Sequence, residues 1–340
     1  MESVKYSIIV ATYNRLEELQ ELLASAESLT FPKTSYEIVI VDDGSDDGTE
    51  KFITDYISDI SLLYLKQANQ GPGEARNHGM RKAHGRYFMF VDSDCTFPPE
   101  YLDEVDKAVR QHGYEAFGGP DTYHPDFSDF LKAINYTMTS FLGSGGTRGS
   151  STSVTKYYPR SFNMGIHRKI FDDIGGMNRL RHGQDMDLSM RIYAAGYKVG
   201  LIPDAYVYHK RRTSLKRFYK QIFNWGVARI NLGRTYPEFM KLIAFMPFIL
   251  LSFFVLSLVG ALFSGAFAQM LLWSLLFASI ICLIALVQAT STYKSLKIGL
   301  LAAFLLPFQV LAYACGTASG LLQWIMGKEE AEGFGRNYYK

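Results

Sequence analysis

Two aspartates directly after an apolar run are the first residues in the sequence whose types and spacing could do chemistry. Residues 87–91 are apolar and aromatic, as in a strand buried on both faces, and Asp92, Ser93 and Asp94 follow them. Because side chains alternate along an extended chain, we expect Asp92 and Asp94 to point the same way. Two such carboxylates suit Mg²⁺ or Mn²⁺ held together with substrate phosphates. The same pair is also typical of a polar exit from a strand.

Other strands must position these acids. Segments at 6–11, 36–41 and 61–67 are also rich in apolar residues, and stretches with helical periodicity separate them. Strands that alternate with helices predict βαβ units, a mainly parallel sheet and right-handed crossovers. The carboxyl ends of such strands meet at one edge, where open α/β sheets bind ligands. The predicted fold class is therefore α/β, with its polar residues gathered at that edge.

Polar side chains at this edge could hold a nucleotide. No Gly-x-Gly-x-x-Gly follows the first strand and no Gly-x-x-x-x-Gly-Lys-Ser/Thr occurs, so side chains and a metal would have to do this work. Asp42 or Asp43 would accept a base N–H, Tyr13 would stack on the base, and Arg76 would meet the diphosphate. Each residue also has a structural interpretation, the two acids as turn formers and Arg76 as a solvated helix residue.

The sequence resembles the family 2 glycosyltransferases of the GT-A fold in four motifs that follow the family's order. These are Ser-Ile-Ile-Val-Ala-Thr-Tyr-Asn-Arg at 7–15, Val-Asp-Asp-Gly-Ser at 41–45, Ala-Arg-Asn-His-Gly at 75–79 and Val-Asp-Ser-Asp at 91–94. The resemblance implies a Rossmann-like catalytic domain that transfers a sugar from a nucleotide-sugar with inversion, usually with a divalent metal. It also implies a donor site made by Thr12, Tyr13, Asn14, Asp42, Asp43, Arg76, Asp92 and Ser93.

A second signature, Gly-Gln-Asp-Met-Asp-Leu-Ser-Met-Arg, occupies residues 183–191. In the family this region supplies the acceptor side and the catalytic base, normally in a Glu-Asp pair. This sequence has Gln184 in place of the glutamate and keeps Asp185, to which the resemblance assigns the base. Helical periodicity predicts Asp185 at a helix N-terminus, where an ionised carboxylate is favoured. The structural alternative for Asp185 is an N-cap, and Gln184 and Arg191 are assigned to the acceptor side.

The resemblance also implies a metal site. The family often has a histidine at the position of His209, which would complete a metal site with Asp92 and Asp94. An imidazole nitrogen suits Mn²⁺ better than Mg²⁺, and the expected cofactor is one of these two ions. A lone histidine can instead be structural. Cys95, Cys282 and Cys315 have no disulfide or zinc spacing, so Cys95 is expected to be a reduced bystander.

The C-terminal part of the sequence predicts a membrane anchor. Residues 242–293 and 298–327 contain no Asp, Glu, Lys or Arg, and such stretches exceed the roughly 20 residues that cross a bilayer. We expect crossings at about 239–263, 266–289 and 299–326, the last crossing once or bending back at Pro307. Lys294 and Lys297 place the loop after the second crossing in the cytoplasm. Residues 1–5 lead directly into a strand pattern, so we expect no signal peptide.

Basic and aromatic residues interleave at helical spacing before the first crossing. This pattern predicts an amphipathic helix in the membrane interface, with its aromatic residues in lipid and its cations toward lipid phosphates. The alternative of a nucleic-acid patch loses support from the adjacent apolar spans and from a net charge of only +2. The cations assigned to the lipid or to a lipid-linked acceptor are Arg211, Arg212, Lys216 and Arg217.

These observations predict four regions: a GT-A domain at 1–212, an interfacial helix at 213–237, an anchor of about three transmembrane helices at 238–327 and a tail at 328–340. Residues 143–151 are rich in glycine and serine and are predicted to form a loop. This loop could be a lid over the donor, part of the acceptor entrance or an ordinary surface loop. The Gln-x-x-Arg-Trp motif of processive synthases is absent, since Asn224 stands in the place of the arginine.

The function predicted from the sequence is that of a membrane-bound inverting glycosyltransferase. The donor would be a nucleotide-sugar, by default a UDP-sugar, and the acceptor a polyprenyl-linked glycan, in the synthesis of a polysaccharide or surface glycan. Its catalytic domain would lie on the cytoplasmic side of the cell membrane. The alternatives are transfer to polyprenyl phosphate itself and a membrane scaffold without catalysis. No nucleic-acid partner is expected.

Overall fold

The computed structural model describes residues 4–144, 156–210 and 214–335 of the 340-residue chain. The chain divides into two units. The described part of the first comprises residues 4–124 and 156–210, and that of the second comprises residues 125–144 and 214–335.

The first unit begins with alternating strands and helices, as predicted. These elements are β1 (Tyr6–Thr12), α1 (Leu16–Glu27), β2 (Tyr36–Asp42), α2 (Thr49–Thr54), β3 (Ser61–Lys66), α3 (Pro72–Lys82) and β4 (Tyr87–Asp92). β1 pairs in parallel with β2 and β4, and β2 pairs in parallel with β3. The side chains of β1, β2 and β4 are almost all buried, which explains their continuous apolar sequence. Their carboxyl ends therefore meet at one edge.

The rest of the chain up to residue 210 completes the sheet. Its elements are β5 (Cys95–Thr96), α4 (Tyr101–His112), β6 (Ala116–Gly118), β7 (Asp121–Thr122), α5 (Asp129–Thr139), α6 (Phe141–Ser144), β8 (Asn163–His167), α7 (Arg168–Ile174), α8 (Gln184–Ala194), β9 (Val199–Leu201) and β10 (Val207–His209). The large sheet has the order β3-β2-β1-β4-β8-β6-β9, in which only β8 is antiparallel to its neighbours. A small sheet has the order β5-β10-β7. The predicted mainly parallel α/β domain is confirmed.

The second unit is helical. After residue 214 its helices are α9 (Leu215–Thr235), α10 (Leu242–Gly260), α11 (Gly265–Tyr293) and α12 (Leu296–Ile325). By length and composition the last three could each cross a membrane. Large apolar side chains are exposed all along α10 and α11, as expected for surfaces that face lipid. Helix α12 continues through Pro307 as one helix, so the segment does not bend back at the proline.

Helix α9, predicted to lie in the membrane interface, packs its apolar face on α12. Phe218, Ile222 and Ile230 are buried within the second unit and are not available to lipid. Gly226 and Gly316 lie where the backbones of the two helices meet, since a Cβ on either glycine would overlap the opposite backbone. Small residues on facing helices thus allow the close approach, and the prediction that these aromatic residues enter lipid is wrong for Phe218.

Residues 125–144 belong to the second unit, although the sequence placed them in a domain that extends to residue 212. The reason is the apolar face of α5, where Ala133 and Ile134 are buried in the helical core. Tyr136 also donates a hydrogen bond to Gln288 on α11 at 2.8 Å. No feature of the sequence predicted that α5, which lies in the middle of the chain, belongs to the second unit.

The segment after α12 packs against α9, where two asparagine side chains bind its backbone. Asn224 exchanges two hydrogen bonds with the backbone of Phe334, at 2.9 and 2.7 Å, and Asn231 exchanges two with that of Ala331, each at 2.9 Å. Asn224, which replaces the arginine of the processive-synthase motif, therefore holds this segment on α9.

Candidate active site

The loops after β1 and β2 are joined by Asn14. Its backbone N–H donates to Ser45 Oγ at 2.9 Å, and its side-chain Oδ1 accepts from the backbone N–H of Asp46 at 2.9 Å. Asn14 has a φ of +50°, a left-handed conformation that asparagine adopts more readily than most residues. The predicted donor-site residue Asn14 therefore fixes two strand-end loops against each other.

Asp42 and Asp43 are buried and bonded to the chain. Asp42 accepts from Tyr64 Oη and from the backbone N–H of Ser45, each at 2.7 Å. Asp43 accepts from the side chain of Gln67 and from the backbone N–H groups of Gln70 and Gly71, at 2.8–2.9 Å. These carboxylates shape the loops that lead to Ser45 and to α3, and their predicted contact with a base stays a prediction.

Thr12 Oγ1 and Arg76 Nε are buried at this edge and have no hydrogen-bond partner among the described residues. Such atoms cost free energy unless a ligand or water pairs with them, so they favour a polar ligand at this place. Tyr13, next to Thr12, is 45% exposed, which leaves its ring free for the predicted stacking on a base. Ser93 is buried.

Arg76 reaches from α3 to the end of β4. Its Nη2 donates to Asp92 Oδ1 at 2.6 Å, and its side chain is 8% exposed against 31% for that of Asp92. A buried guanidinium at the edge of the sheet is a suitable partner for a diphosphate, because it binds two oxygens at once. The structure thus brings together two residues that the sequence assigned to the donor.

The prediction that Asp92 and Asp94 point the same way assumed that both residues lie in an extended strand, and this assumption does not hold for Asp94. β4 ends at Asp92, and Ser93 and Asp94 form a turn, so the alternation of an extended chain does not extend to Asp94. Asp94 instead accepts from Arg15 Nη1 through Oδ2 at 2.6 Å. Burial lowers the pKa of Arg15, but the Asp94 carboxylate more than offsets this and raises it, so Arg15 stays charged.

His209 lies between two carboxylates. Its Nε2 is 3.2 Å from Asp94 Oδ1 and its Nδ1 is 3.2 Å from Asp121 Oδ2, whose side chain is fully buried. A carboxylate on one imidazole nitrogen orients the ring and presents the other nitrogen to a metal. Two ligand atoms that each lie about 2.0–2.2 Å from one ion are about 3.0–3.4 Å apart, so Asp94 and His209 fit a divalent cation.

Cys95 is a neighbour that sequence reasoning missed. Asp94, Cys95 and His209 each offer one possible ligand atom, and these atoms lie within 4.8 Å of one another. Asp92, the predicted third ligand, is not in this group. Cys95 is brought in by pairing of β5 with β10, which sets it opposite His209. Neither that pairing nor the contact of Asp121 with His209 has a local signal in the sequence, because β5, β7 and β10 contain only two or three residues each.

Asp185 lies in the first turn of α8, as predicted, and is partly exposed. Its Oδ1 accepts from the backbone N–H of Met186 at 2.9 Å. Gln184 lies against the first turn of α3, where a Cβ on Gly73 would overlap its amide group. Gly73 and Arg76 are one turn apart on the same face of α3. The predicted base is therefore in a segment that packs on the helix carrying Arg76.

The other residues assigned to the acceptor differ in their surroundings. Arg191 donates to Asp187 Oδ2 and to the backbone carbonyls of Ile174 and Gly176, at 2.6–3.0 Å, so it holds the loop after α7. Lys216 and Arg217 are exposed in the first turn of α9. Arg211, Arg212 and most of the loop predicted at 143–151 lie outside the described residues. The acceptor contacts of all these residues stay predictions.

His182 precedes Asp185 in the loop before α8. Burial and the nearby Arg181 guanidinium lower the pKa of His182 to about 4, so its imidazole is neutral at pH 7. Its Nε2 is buried and has no hydrogen-bond partner among the described residues.

A mainly parallel sheet with acids, an imidazole and a buried arginine at its carboxyl edge defines the class of GT-A glycosyltransferases. The profile of Glycosyl transferase family 2 matches residues 7–175, and that of Glycosyl transferase family 21 matches residues 151–315. The chain belongs to the family 2 glycosyltransferases, as its motifs indicated.

Several curated relatives are glycosyltransferases. The chain is 27% identical to glycosyltransferase AglE of Haloferax volcanii over 254 residues, which covers 71% of this chain and 81% of AglE. It is 28% identical to the putative glycosyltransferase EpsH of Bacillus subtilis over 254 residues, or 70% of each chain. It is also 28% identical over 222 residues to poly(ribitol-phosphate) β-N-acetylglucosaminyltransferase TarS of Staphylococcus aureus, 62% of this chain but only 36% of TarS.

Solved structures confirm the fold. The mannosyltransferase PcManGT from Pyrobaculum calidifontis, in complex with GDP-Man and Mn²⁺, matches with a TM-score of 0.62 and 17% identity over 91% of this chain and 88% of that one. S. aureus TarS 1–349, in complex with UDP-GlcNAc, matches with a TM-score of 0.51 and 19% identity over 94% and 92%. At these identities the likeness concerns the fold alone.

Proposed function

We propose that the protein is a metal-dependent, inverting glycosyltransferase that moves a sugar from a nucleotide-sugar to a hydroxyl of a lipid-linked glycan. The main support is a set of groups at the carboxyl edge of the sheet. These are Arg76 Nε and Thr12 Oγ1, which have no hydrogen-bond partner among the described residues, and the Asp94–His209 pair. One relative, TarS, is a poly(ribitol-phosphate) β-N-acetylglucosaminyltransferase, and the structural neighbour PcManGT was solved with GDP-Man and Mn²⁺. A UDP-sugar is the proposed donor.

In this proposal Tyr13 stacks on the base, Thr12, Asn14 and Ser93 line the donor, and Arg76 contacts the diphosphate. Asp42 and Asp43 contribute mainly by holding the loops around the nucleotide. Asp94 and His209 are the residues that would hold Mn²⁺ or Mg²⁺, and Asp92 is the third ligand that the sequence predicted. When bound, the ion would neutralise negative charge on the departing diphosphate.

The proposed base is Asp185. It takes the proton of an acceptor hydroxyl while the hydroxyl oxygen forms a bond to the anomeric carbon. The bond from that carbon to the diphosphate breaks on the opposite face, and the nucleoside diphosphate leaves with the electron pair. Asp185 suits this role because it is partly exposed and lies in the first turn of α8, whose N-terminal residue Gln184 packs on the helix that carries Arg76.

The decisive experiment compares Asp185→Asn with the unmodified protein. Purified protein in detergent is given a panel of nucleotide-sugars with Mn²⁺ and polyprenyl-linked acceptors, and transfer and donor binding are measured separately. Asp185→Asn should lower transfer by about 10²–10⁴ with donor binding retained. Gln184→Glu, which restores the family's acidic residue, is the matched control and should remain active.

Two other outcomes would change the proposal. Near-normal transfer by Asp185→Asn to polyprenyl phosphate would favour the alternative acceptor, which is already anionic and needs no base. Absence of donor binding and of nucleoside diphosphate release with every donor and either metal would support a scaffold without catalysis.

We further propose that α10, α11 and α12 anchor the protein in the cell membrane, with the catalytic unit in the cytoplasm. Lys294 and Lys297 mark the cytoplasmic end of the second crossing, and the uncharged turn at Ser264 marks the outer end. A membrane-impermeant maleimide should label Ser264→Cys in intact cells, but Lys294→Cys only after permeabilisation, with Cys282 and Cys315 changed to serine in both. The reverse pattern would overturn the orientation.

A further inference from the structure

We infer that α12 lies along the membrane instead of crossing it, so that one apolar stripe of this helix contacts the lipid of a single leaflet. Its length and composition would allow a crossing, as the sequence predicted at 299–326. Its contacts, however, place both of its ends on the same side. The inference rests on the proposed insertion of α10 and α11 in a membrane, and it does not depend on sugar transfer.

Helix α9 is too highly charged to cross a bilayer. Its 21 residues include Lys or Arg in the first turn, in the middle and in the last turn. Charged side chains are rare within membrane-spanning segments, because each makes insertion less favourable. The two ends of α9 therefore lie on the same side of the membrane. The charged residues of α9 are Lys216, Arg217, Lys220, Arg229 and Arg234.

Helices α10 and α11 bring the chain back to this side. Between α9 and α10, the ring of Phe239 lies 5.3 Å from the Arg229 guanidinium of α9, so α10 begins on the side of α9. In the proposed anchor α10 crosses to the turn at Ser264 and α11 crosses back. Because α12 begins at Leu296, shortly after α11 ends, its start is also on the side of α9.

The second half of α12 runs parallel to α9. Four contacts occur in the same order along both helices, so the two helices lie side by side and point in the same direction. Since α9 does not cross, residues 308–324 of α12 do not cross either. The contacts join Phe218 to Phe308, Gly226 to Gly316, Ile230 to Gly320 and Arg234 to Trp324.

The segment after α12 is bound on the same side. Gln323, near the end of α12, exchanges two hydrogen bonds with the backbone of Glu332, at 3.0 and 2.9 Å. Asn224 and Asn231 of α9 bind the backbone of this segment in the same way. A crossing by α12 would carry the segment to the opposite side of the bilayer from α9, where the asparagine bonds could not form.

The exposed residues of α12 form one apolar stripe. Leu300, Phe304, Leu311 and Leu322 are 41–58% exposed and are separated by about one, two and three helical turns. α12 also packs against both α10 and α11, so the stripe continues the lipid-facing surface of the two crossing helices. Helix α9 covers α12 from another side, and its cations suit lipid phosphates. The partner of the stripe is therefore the apolar region of one leaflet.

The first test locates the end of α12 relative to the two ends of α11. Ser264→Cys, Lys294→Cys and Glu329→Cys are made separately in the full-length chain, with Cys282 and Cys315 changed to serine. A membrane-impermeant maleimide is then added to right-side-out or inside-out vesicles. Glu329→Cys should be labelled from the same side as Lys294→Cys and from the side opposite to Ser264→Cys. Labelling of Glu329→Cys from the side of Ser264→Cys overturns the inference.

Epitopes at the two termini of the otherwise unmodified chain give the same answer if a cysteine variant does not fold. Protease should remove both epitopes from the same vesicles, because the N-terminal unit precedes α9. Removal of only one of them overturns the inference.

The second test measures the depth of the stripe in liposomes. Nitroxide labels are attached to cysteines at Leu300, Phe304 and Leu311, and depth is read from their accessibility to oxygen and to a polar nickel complex. The three depths should agree within about 5 Å, one helical turn. A difference of about 16 Å between Leu300 and Leu311, as in a crossing helix, overturns the inference. Phe277 and Val287, both exposed on α11, are the control and should differ by about 15 Å.

Failure of the inference is distinct from failure of the proposed function, because sugar transfer is measured separately in the same vesicles. Transfer by a protein whose α12 crosses would leave the proposed transferase standing, and an α12 along the membrane without transfer would leave the inference standing. Labelling of Ser264→Cys and Lys294→Cys from one side would overturn both the proposed anchor and this inference.

Discussion

The imidazole of His209 lies between two carboxylates, with Nδ1 3.2 Å from the buried Asp121 and Nε2 3.2 Å from Asp94. Asp121 and His209 come from neighbouring strands of the small sheet, β7 and β10, whose parallel pairing fixes their separation. A carboxylate beside Nδ1 stabilises the tautomer that carries its proton on Nδ1, and in that tautomer the lone pair of Nε2 is on the side of Asp94, where a cation would bind. Asp121 therefore acts as a positioning residue for His209.

Asp121→Asn should weaken Mn²⁺ binding by about 10–100-fold, because the amide no longer provides a charged acceptor for the Nδ1 proton. Titration of Mn²⁺, followed by the electron paramagnetic resonance signal of the free ion, measures this affinity directly. Asp126→Asn, at an exposed position a few residues further along the chain, is the matched control. If Asp121→Asn binds Mn²⁺ as tightly as the control does, Asp121 does not position His209.

Arg76→Lys should weaken binding of a nucleoside diphosphate by about 10–100-fold, the effect of losing a hydrogen bond to a charged group. Lysine keeps the positive charge but lacks the planar fork that Arg76 directs to the edge of the sheet. Isothermal titration of UDP and GDP measures the loss. Arg179→Lys is the control, since Arg179 is 70% exposed and pairs with Glu74, which belongs to α3 as Arg76 does. An equal loss of affinity in both variants would show that Arg76 does not contact the nucleoside diphosphate.

The sequence predicted the elements well where one local pattern decides the structure. The apolar runs of β1, β2 and β4 are typical of strands buried on both faces, and the uncharged stretches at 242–293 and 298–327 are typical of long apolar helices. Asp185 was assigned correctly to a first helical turn from the periodicity that follows it. These are properties of short segments.

What the sequence missed depends on contacts between distant segments. Ser93 and Asp94 form a turn after β4 that no residue type in the sequence predicts, so Asp94 is not part of the strand that ends at Asp92. Cys95 meets His209 through a strand pair that is too short to give a pattern. From the sequence, the apolar face of α9 could be buried either by lipid or by protein. It is buried by protein, because glycines on α9 and α12 allow the two helix backbones to approach closely.

Gly316→Ala should lower the free energy of unfolding by about 1–3 kcal/mol, the usual effect of overpacking a tight contact. A Cβ at this position would overlap the backbone carbonyl of Phe223 on α9, which cannot move aside as a side chain can. Thermal unfolding in detergent measures the change. Gly265→Ala, where a Cβ would meet nothing within 4 Å, is the matched control. Equal stability of both variants would show that α9 does not pack closely on α12.

His182→Gln should make the protein more resistant to acid. The pKa of His182 is lowered to about 4 in the folded protein, against an ordinary value of 6.5, so the unfolded chain binds the proton more readily. The free energy of unfolding therefore falls as the pH decreases from 6.5 to 4, and glutamine removes this contribution.

The measurement is the melting temperature of both proteins in detergent across this range, in which the unmodified protein should lose more than His182→Gln does. His112→Gln, at an exposed position, controls for the removal of an imidazole. Parallel curves for the unmodified protein and His182→Gln would mean that His182 is protonated equally in the folded and unfolded states. That outcome would contradict the burial of the His182 ring in the loop before Asp185.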